Sequence, residues 1–164
     1  MSWLAKKLTI FEGPDGAGKT TAALAYAKAT GAQYVHHGSY LNIGKALGKT
    51  YVKSILPAVL GQRDVVLDRC WLSEAPYARA FRGSYDRLDV TGRRFLDRLA
   101  LRCQTAVVLC LPPLNLVEEN YQRRKADEYL PDQALLRQVY QDYEASQYDL
   151  PTTRYDFTSG TFGK

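Results

Sequence analysis

Apolar positions along this chain fall into two kinds of block. Short runs dense in aliphatic and β-branched residues predict buried strands: Lys7-Leu8-Thr9-Ile10-Phe11, Gln33-Tyr34-Val35-His36, Asp64-Val65-Val66-Leu67-Asp68, Thr105 to Leu111, and Thr153 to Phe157. Longer stretches with spaced apolar residues predict helices over Thr20 to Thr30, Leu41 to Leu60, Ser73 to Phe81, an arginine-rich segment ending near Leu101, Leu114 to Lys125, and Asp132 to Tyr148. Punctuation agrees with these limits. Gly31 and Gly61 supply C-caps, Ser73 a candidate N-cap, Pro57 a place for its helix to bend, and Pro112-Pro113 a stop for the most apolar strand. Strands alternating with helices predict an α/β fold: a parallel five-stranded sheet with helices on both faces. Ligands of such sheets bind beyond the C-terminal strand ends. That edge gathers the turn after Phe11, His36-His37, Asp68-Arg69 and the turn after Leu111.

The first of those turns carries the clearest chemistry. Gly13-x-x-x-x-Gly18-Lys19-Thr20 is a complete phosphate-binding loop, preceded by a predicted strand and followed by a predicted helix. Backbone N–H groups and the helix dipole converge there on anionic oxygens. Gly13, Gly16 and Gly18 let the backbone curl; Lys19 would reach the β- and γ-phosphates of a bound nucleotide, and Thr20 would offer a hydroxyl to Mg²⁺. Asp68, closing an aliphatic strand, has the position of a carboxylate held near that magnesium. Arg69 beside it has the fork geometry for a second phosphate, against the plainer reading of a strand-end salt bridge.

These residues carry a family resemblance. Phe11 to Thr21, Ile55-Leu56-Pro57-Ala58-Val59-Leu60-Gly61, Val65 to Arg69, Ser73, Ala75-Pro76-Tyr77 and Val107 to Pro113 together resemble the thymidylate kinases over about Leu8 to Tyr143. The resemblance implies a three-layer P-loop kinase fold with a short lid at about 123–131. It also implies ATP bound by Gly13, Asp15, Gly16, Ala17, Gly18, Lys19, Thr20 and Thr21, and Mg²⁺ held at Thr20 and Asp68. By the same resemblance Asp15 would contact the sugar hydroxyl of the acceptor and Arg69 its phosphate. The loop offers Gly16-Ala17 where some members have an arginine, so the lid would supply that cation from Arg123, Arg124 or Lys125; an exposed helix end is the alternative for that cluster. Lys19, Asp68, Arg69, Arg123 and Arg124 are thus the expected catalytic set.

The chain departs from that family in three places. Val35-His36-His37-Gly38 stands where the family has Arg-Glu-Pro-Gly, its thymine-reading Phe and Arg have no match between Ser39 and Ser54, and Asp127-Glu128 replaces Asp-Arg in the lid. His36 and His37 point to opposite strand faces, which argues against a shared metal and leaves one of them to meet the acceptor. Tyr40, Tyr51 and Tyr77 are candidates to stack on a base, or core residues.

Composition sets the outer limits. At 164 residues, with 46% hydrophobic and 24% charged residues, the chain reads as one globular domain over 1–164. No apolar run has membrane-spanning length and no signal-peptide pattern is present, so a cytoplasmic location without membrane contact is expected. Cys70, Cys103 and Cys110 lack metal-ligand spacing and suit a reducing compartment, with Cys110 as core. The net charge of +5 is concentrated: seven arginines from Arg79 to Arg102 face Asp86, Asp89 and Asp97. Arg94, Arg98 and Arg102 form one helical stripe, read as a solvated face with Arg93 and Asp97 paired; a nucleic-acid surface is the alternative, disfavoured because the stripe lacks aromatic interleaving.

The expected activity is ATP- and Mg²⁺-dependent phosphorylation of a deoxynucleoside 5′-monophosphate, dTMP or a related pyrimidine first. The alternative is a P-loop kinase acting on a nucleoside or on a hydroxyl of a modified base in DNA. A nucleotide sensor without turnover is opposed by intact Lys19, Thr20, Asp68 and Arg69. Mononucleotides are the expected partners; a homodimer stays open.

Overall fold

The structure, a computed structural model, describes residues 5–38, 46–83, 85–124 and 132–159, and the backbone of 161–163. The elements run β1 (Lys7–Glu12), α1 (Lys19–Thr30), β2 (Gln33–His36), α2 (Leu47–Val59), β3 (Val65–Asp68), α3 (Glu74–Phe81), α4 (Val90–Ala100), β4 (Gln104–Cys110), α5 (Leu114–Arg124), α6 (Gln133–Ala145), β5 (Thr152–Asp156) and β6 (Thr161–Gly163). They form one sheet of order β2-β3-β1-β4-β5-β6. The first five strands are parallel, as the alternation predicts, and β6 adds an antiparallel edge strand to β5 that the sequence pattern does not signal.

Strand periodicity divides the core in two. Leu8, Ile10, Val65, Leu67 and Val107 face α2 and α4, where Leu47, Tyr51, Ile55, Leu96 and Ala100 meet them. Phe11, Val66 and Val108 face the opposite way, onto Ala23 and Ala27 of α1, Val117 and Tyr121 of α5, and Leu136, Val139 and Tyr143 of α6. Alanines on α1 bring its backbone close to the sheet. Gly31, at φ 71, ends that helix by donating its N–H to the Ala27 carbonyl at 2.9 Å. Cys110 is fully buried, and burial pushes its thiol up to about 12, against the opposing charge of Lys19. It is core.

Two local expectations need correction. Ser73 precedes α3 but makes no side-chain cap; a 3-10 turn over Trp71–Ser73 already has helical backbone and leads straight into the helix. Ser73 Oγ instead donates to the Cys70 carbonyl at 2.7 Å. Nor is Asp97 the partner of Arg93: Asp97 Oδ1 accepts from the Trp71 indole at 2.8 Å, and Arg93 pairs with Asp86. The reason is tertiary, because α4 turns Asp97 inward against Trp71, and a buried indole N–H needs an acceptor. Residues 39–45, including Tyr40, and 125–131, most of the expected lid, lie outside the described residues.

Candidate nucleotide site

The loop between β1 and α1 curls as its glycines require. Gly13 has φ 143, and a Cβ there would sit 2.3 Å from the Cys110 carbonyl oxygen; at Gly16, φ 79, a Cβ would meet the Val117 carbonyl oxygen at 2.6 Å. The loop therefore lies pressed against the end of β4 and the side of α5, where Asn120 Nδ2 also donates to the Gly16 carbonyl at 3.0 Å. Lys19 is buried and its Nζ donates to the Pro14 carbonyl at 2.6 Å. Burial and the neighbouring Arg69 charge lower its pKa, while Asp15 and Asp68 pull the other way. An ammonium held by one loop carbonyl can exchange that partner for a phosphate oxygen.

Sheet register builds the next layer. Asp68 stands opposite Phe11 on one side and His36 on the other, so the ends of β1, β2 and β3 meet above α1. Asp68 Oδ2 accepts from Thr20 Oγ1 at 2.7 Å and Tyr34 OH at 2.8 Å, and lies 2.9 Å from His36 Nδ1. Tyr34 and His36 reach it together because alternate residues of β2 share a face. Burial opposes ionisation of Asp68, but Thr20, Lys19, His36 and Tyr34 outweigh it and hold the carboxyl below its usual range. Asp68 Oδ1 is buried with no hydrogen-bond partner among the described residues. An orphaned carboxylate oxygen beside a threonine hydroxyl is a hard-oxygen donor pair that fits Mg²⁺.

Arg69 turns away from Asp68 into the cavity. Its φ of 70 is left-handed, which costs a side-chain-bearing residue about 1 kcal/mol or more. What holds it there is its guanidinium, paired with buried Asp15 and stacked over the Tyr77 ring at 5.1 Å. Burial raises the Asp15 pKa, but Arg69 and Lys19 more than reverse this and keep it below the usual carboxylate range. Beneath lies Glu12, fully buried, accepting from Cys70 N at 2.7 Å and Tyr143 OH at 2.8 Å, its pKa raised by burial against the pull of Arg69.

The far end of the cavity is organised by Glu74, a residue that sequence reasoning missed. Its Oε1 accepts from Tyr51 OH at 3.1 Å and Arg87 Nη2 at 2.9 Å; its Oε2 accepts from Arg82 Nη2 and Arg87 Nε, both at 3.0 Å. Only the excess of arginine between Arg79 and Arg102 hinted at such a cluster. His37 is buried edge-on to Tyr51 with ring centroids 5.0 Å apart, and burial, with the neighbouring His36, lowers its pKa to about 4 against the pull of Asp68.

These groups line one cavity of about 560 Å³ that holds Asp15, Gly16, Gly18, Lys19, Thr20, Thr21, both histidines and Arg69 on its walls. Gly13 and Ala17 support the loop from behind, and Asp68 sits below Thr20. Of the two described arginines of the expected lid, both in the last turn of α5, Arg124 lines the cavity, whereas Arg123 is three-quarters exposed and lies 3.8 Å from Glu119 on the outer side of α5.

The parallel α/β arrangement that brings these groups together has solved counterparts in fold. The fold is that of the P-loop nucleotide kinases. The YorR protein of Bacillus subtilis, solved in complex with phosphorylated GDP, superposes with a TM-score of 0.67 at 24% identity, covering 91% of this chain and 85% of that one. Deoxyadenosine kinase from M. mycoides with bound dCTP gives a TM-score of 0.55 at 17% identity, covering 92% and 89%. The same enzyme with bound dATP gives 0.53 at 19% identity, covering 92% and 90%. No protein-family model matches the chain, and no curated protein matches it in sequence. No described helix is long and apolar enough to cross a membrane.

Proposed function

We propose that this protein is an ATP-dependent nucleotide kinase that phosphorylates a deoxynucleoside 5′-monophosphate, with a pyrimidine such as dTMP as the first candidate. One observation carries the reading. The cavity has cations at both ends, Lys19 at the loop and Arg69, Arg82 and Arg87 beyond it, against only Asp15 and Glu74 among its lining carboxylates. Two phosphorylated molecules meeting end to end match that distribution. A bare nucleoside would leave Arg69 without a phosphate.

The chain's own residues would act mainly by position and charge. Lys19 would leave Pro14 for the transferring phosphoryl oxygens, and the loop N–H groups would hold the remaining phosphates. Arg69, its orientation set by Asp15 and Tyr77, would fix the acceptor phosphate in line, and Arg124 would neutralise charge from the α5 side. Thr20 and Asp68 would hold Mg²⁺, which when bound supplies charge neutralisation between phosphate oxygens.

A second reading, transfer to a hydroxyl of a nucleoside or of a modified base in DNA, has its own observation. A hydroxyl acceptor needs a proton acceptor beside it, and His36 lines the cavity with Nδ1 already engaged by Asp68. The deciding experiment incubates the protein with Mg·ATP and a panel of deoxynucleoside monophosphates, deoxynucleosides and DNA carrying hydroxymethylated bases. The expected product is a deoxynucleoside diphosphate. Phosphorylated nucleoside or DNA, with no diphosphate, would replace the first reading by the second.

A further inference from the structure

We propose that the face formed by α2 and α4 binds a single strand of nucleic acid. The two helices pack side by side on one face of the sheet and leave between them a groove of about 400 Å³. Val52, Leu88, Phe95 and Leu96 line it, and Gly48 and Gly92 keep it open, so its walls are almost wholly apolar. Cations stand in the groove and on the solvent side of α4 beside it. Lys49 and Lys53, one helical turn apart, are exposed on α2, and Arg94, Arg98 and Arg102 are exposed on and just beyond α4. Unlike Arg79, Arg82, Arg87 and Arg93, none of these five has an acidic partner among the described residues.

Charge selects the occupant. Arg94, Arg98 and Arg102 recur at i,i+4,i+8, a row about 12 Å long suited to a short run of phosphates. Phe95, 56% exposed, stands at the groove edge beside that row. A stacking ring next to a cationic track is what an unpaired strand requires, because every base has a face to stack and phosphates to neutralise. A second copy of the chain fits badly, since a two-fold interface would set five cations against the same five. A duplex would use the arginines but not the apolar groove.

The groove also adjoins the kinase cavity. Tyr51 and Arg87 line the cavity, while their neighbours in sequence, Val52 and Leu88, line the groove, so one helix wall separates the two. A strand lying here would pass close to the acceptor end. The inference stands apart from the kinase reading, because it is tested by equilibrium binding.

The test measures fluorescence anisotropy of a labelled thymidine oligonucleotide with the full chain. Binding should weaken by one to two orders of magnitude between about 50 and 200 mM salt, the range expected for about three to five phosphate contacts. The Arg98→Glu/Arg102→Glu double variant should lose at least about tenfold in affinity and show a shallower salt slope. Phe95→Ala should lose about fivefold or more with its slope unchanged. Lys19→Ala should bind the oligonucleotide as wild type does, and saturating Mg·ATP should not displace it. Circular dichroism checks that the exposed-site variants are folded. Absence of binding at low salt, indifference to the arginine reversals, or displacement by ATP would overturn the proposal. So would duplex bound as tightly as single strand with Phe95→Ala neutral, or a dimer in sedimentation that Phe95→Ala dissolves.

Discussion

The two ends of the cavity are built on different principles. The loop end is one contiguous stretch, Gly13 to Thr21, whose donors are backbone N–H groups and one lysine resting on a carbonyl. The Glu74 end draws Tyr51, Glu74, Arg82 and Arg87 from α2, α3 and the segments that follow α3, and it is closed on itself: each carboxylate oxygen already accepts two donors. One end keeps its charge exchangeable for a ligand. The other invests its charge in holding elements together, and what it offers a ligand is the outer edge of its guanidinium groups. Function and stability should therefore separate along the cavity.

Removing Glu74 gives the sharpest contrast. Glu74→Ala leaves the guanidiniums of Arg82 and Arg87 without their carboxylate in a largely buried setting, and stability should fall by about 3–5 kcal/mol in urea titration. A loss below about 1 kcal/mol would mean that this end is as loose as the loop.

Lys19→Ala should do the reverse. The phosphorylation rate should drop by about 10²- to 10³-fold, some 3–4 kcal/mol of barrier, with the urea midpoint nearly unchanged. A variant with near wild-type turnover would remove the loop from the mechanism.

His37 extends the contrast to pH. It titrates at about 4 in the fold and near 6.5 when unfolded, so the unfolded chain binds the extra proton first as pH falls. Its contribution is complete above about pH 6.5 and is lost on the way down to about 4, by about 2 kcal/mol at pH 5. Asp15 and Asp68, held below the usual carboxylate range, lose theirs only at lower pH, and Glu12, raised by burial, works in the opposite sense. Comparing wild type with His37→Gln between pH 7 and 5 cancels those groups. Equal pH slopes for the two proteins would show that His37 does not titrate as placed here.

The smallest effect separates the two arginines that close α5. Arg124→Ala should lower kcat about tenfold, near 1.4 kcal/mol, while Arg123→Ala stays within about twofold, because only Arg124 lines the cavity. Equal effects from both would place the decisive cation elsewhere.

The sequence by itself determined the strand–loop–helix around Lys19, the five parallel strands, and Asp68-Arg69 at a strand end. These are local features: periodicity, glycine at turns that exclude a Cβ, and an acidic residue closing an aliphatic run all act within a few residues. The β6 edge strand escaped because three residues carry no period. Ser73 stands at the N-cap position of α3, but its side chain caps nothing, because a preceding 3-10 turn, invisible in composition, removes the need. Only the tertiary structure decided that Asp68 takes Tyr34 and His36 as partners, that Asp97 serves Trp71, that Arg124 rather than Arg123 reaches the cavity, and that Phe95 stands exposed beside the arginine row. Each depends on helix rotation and strand register set by the packed core, which bring together side chains far apart in sequence, and neither quantity is written in any short stretch of the chain.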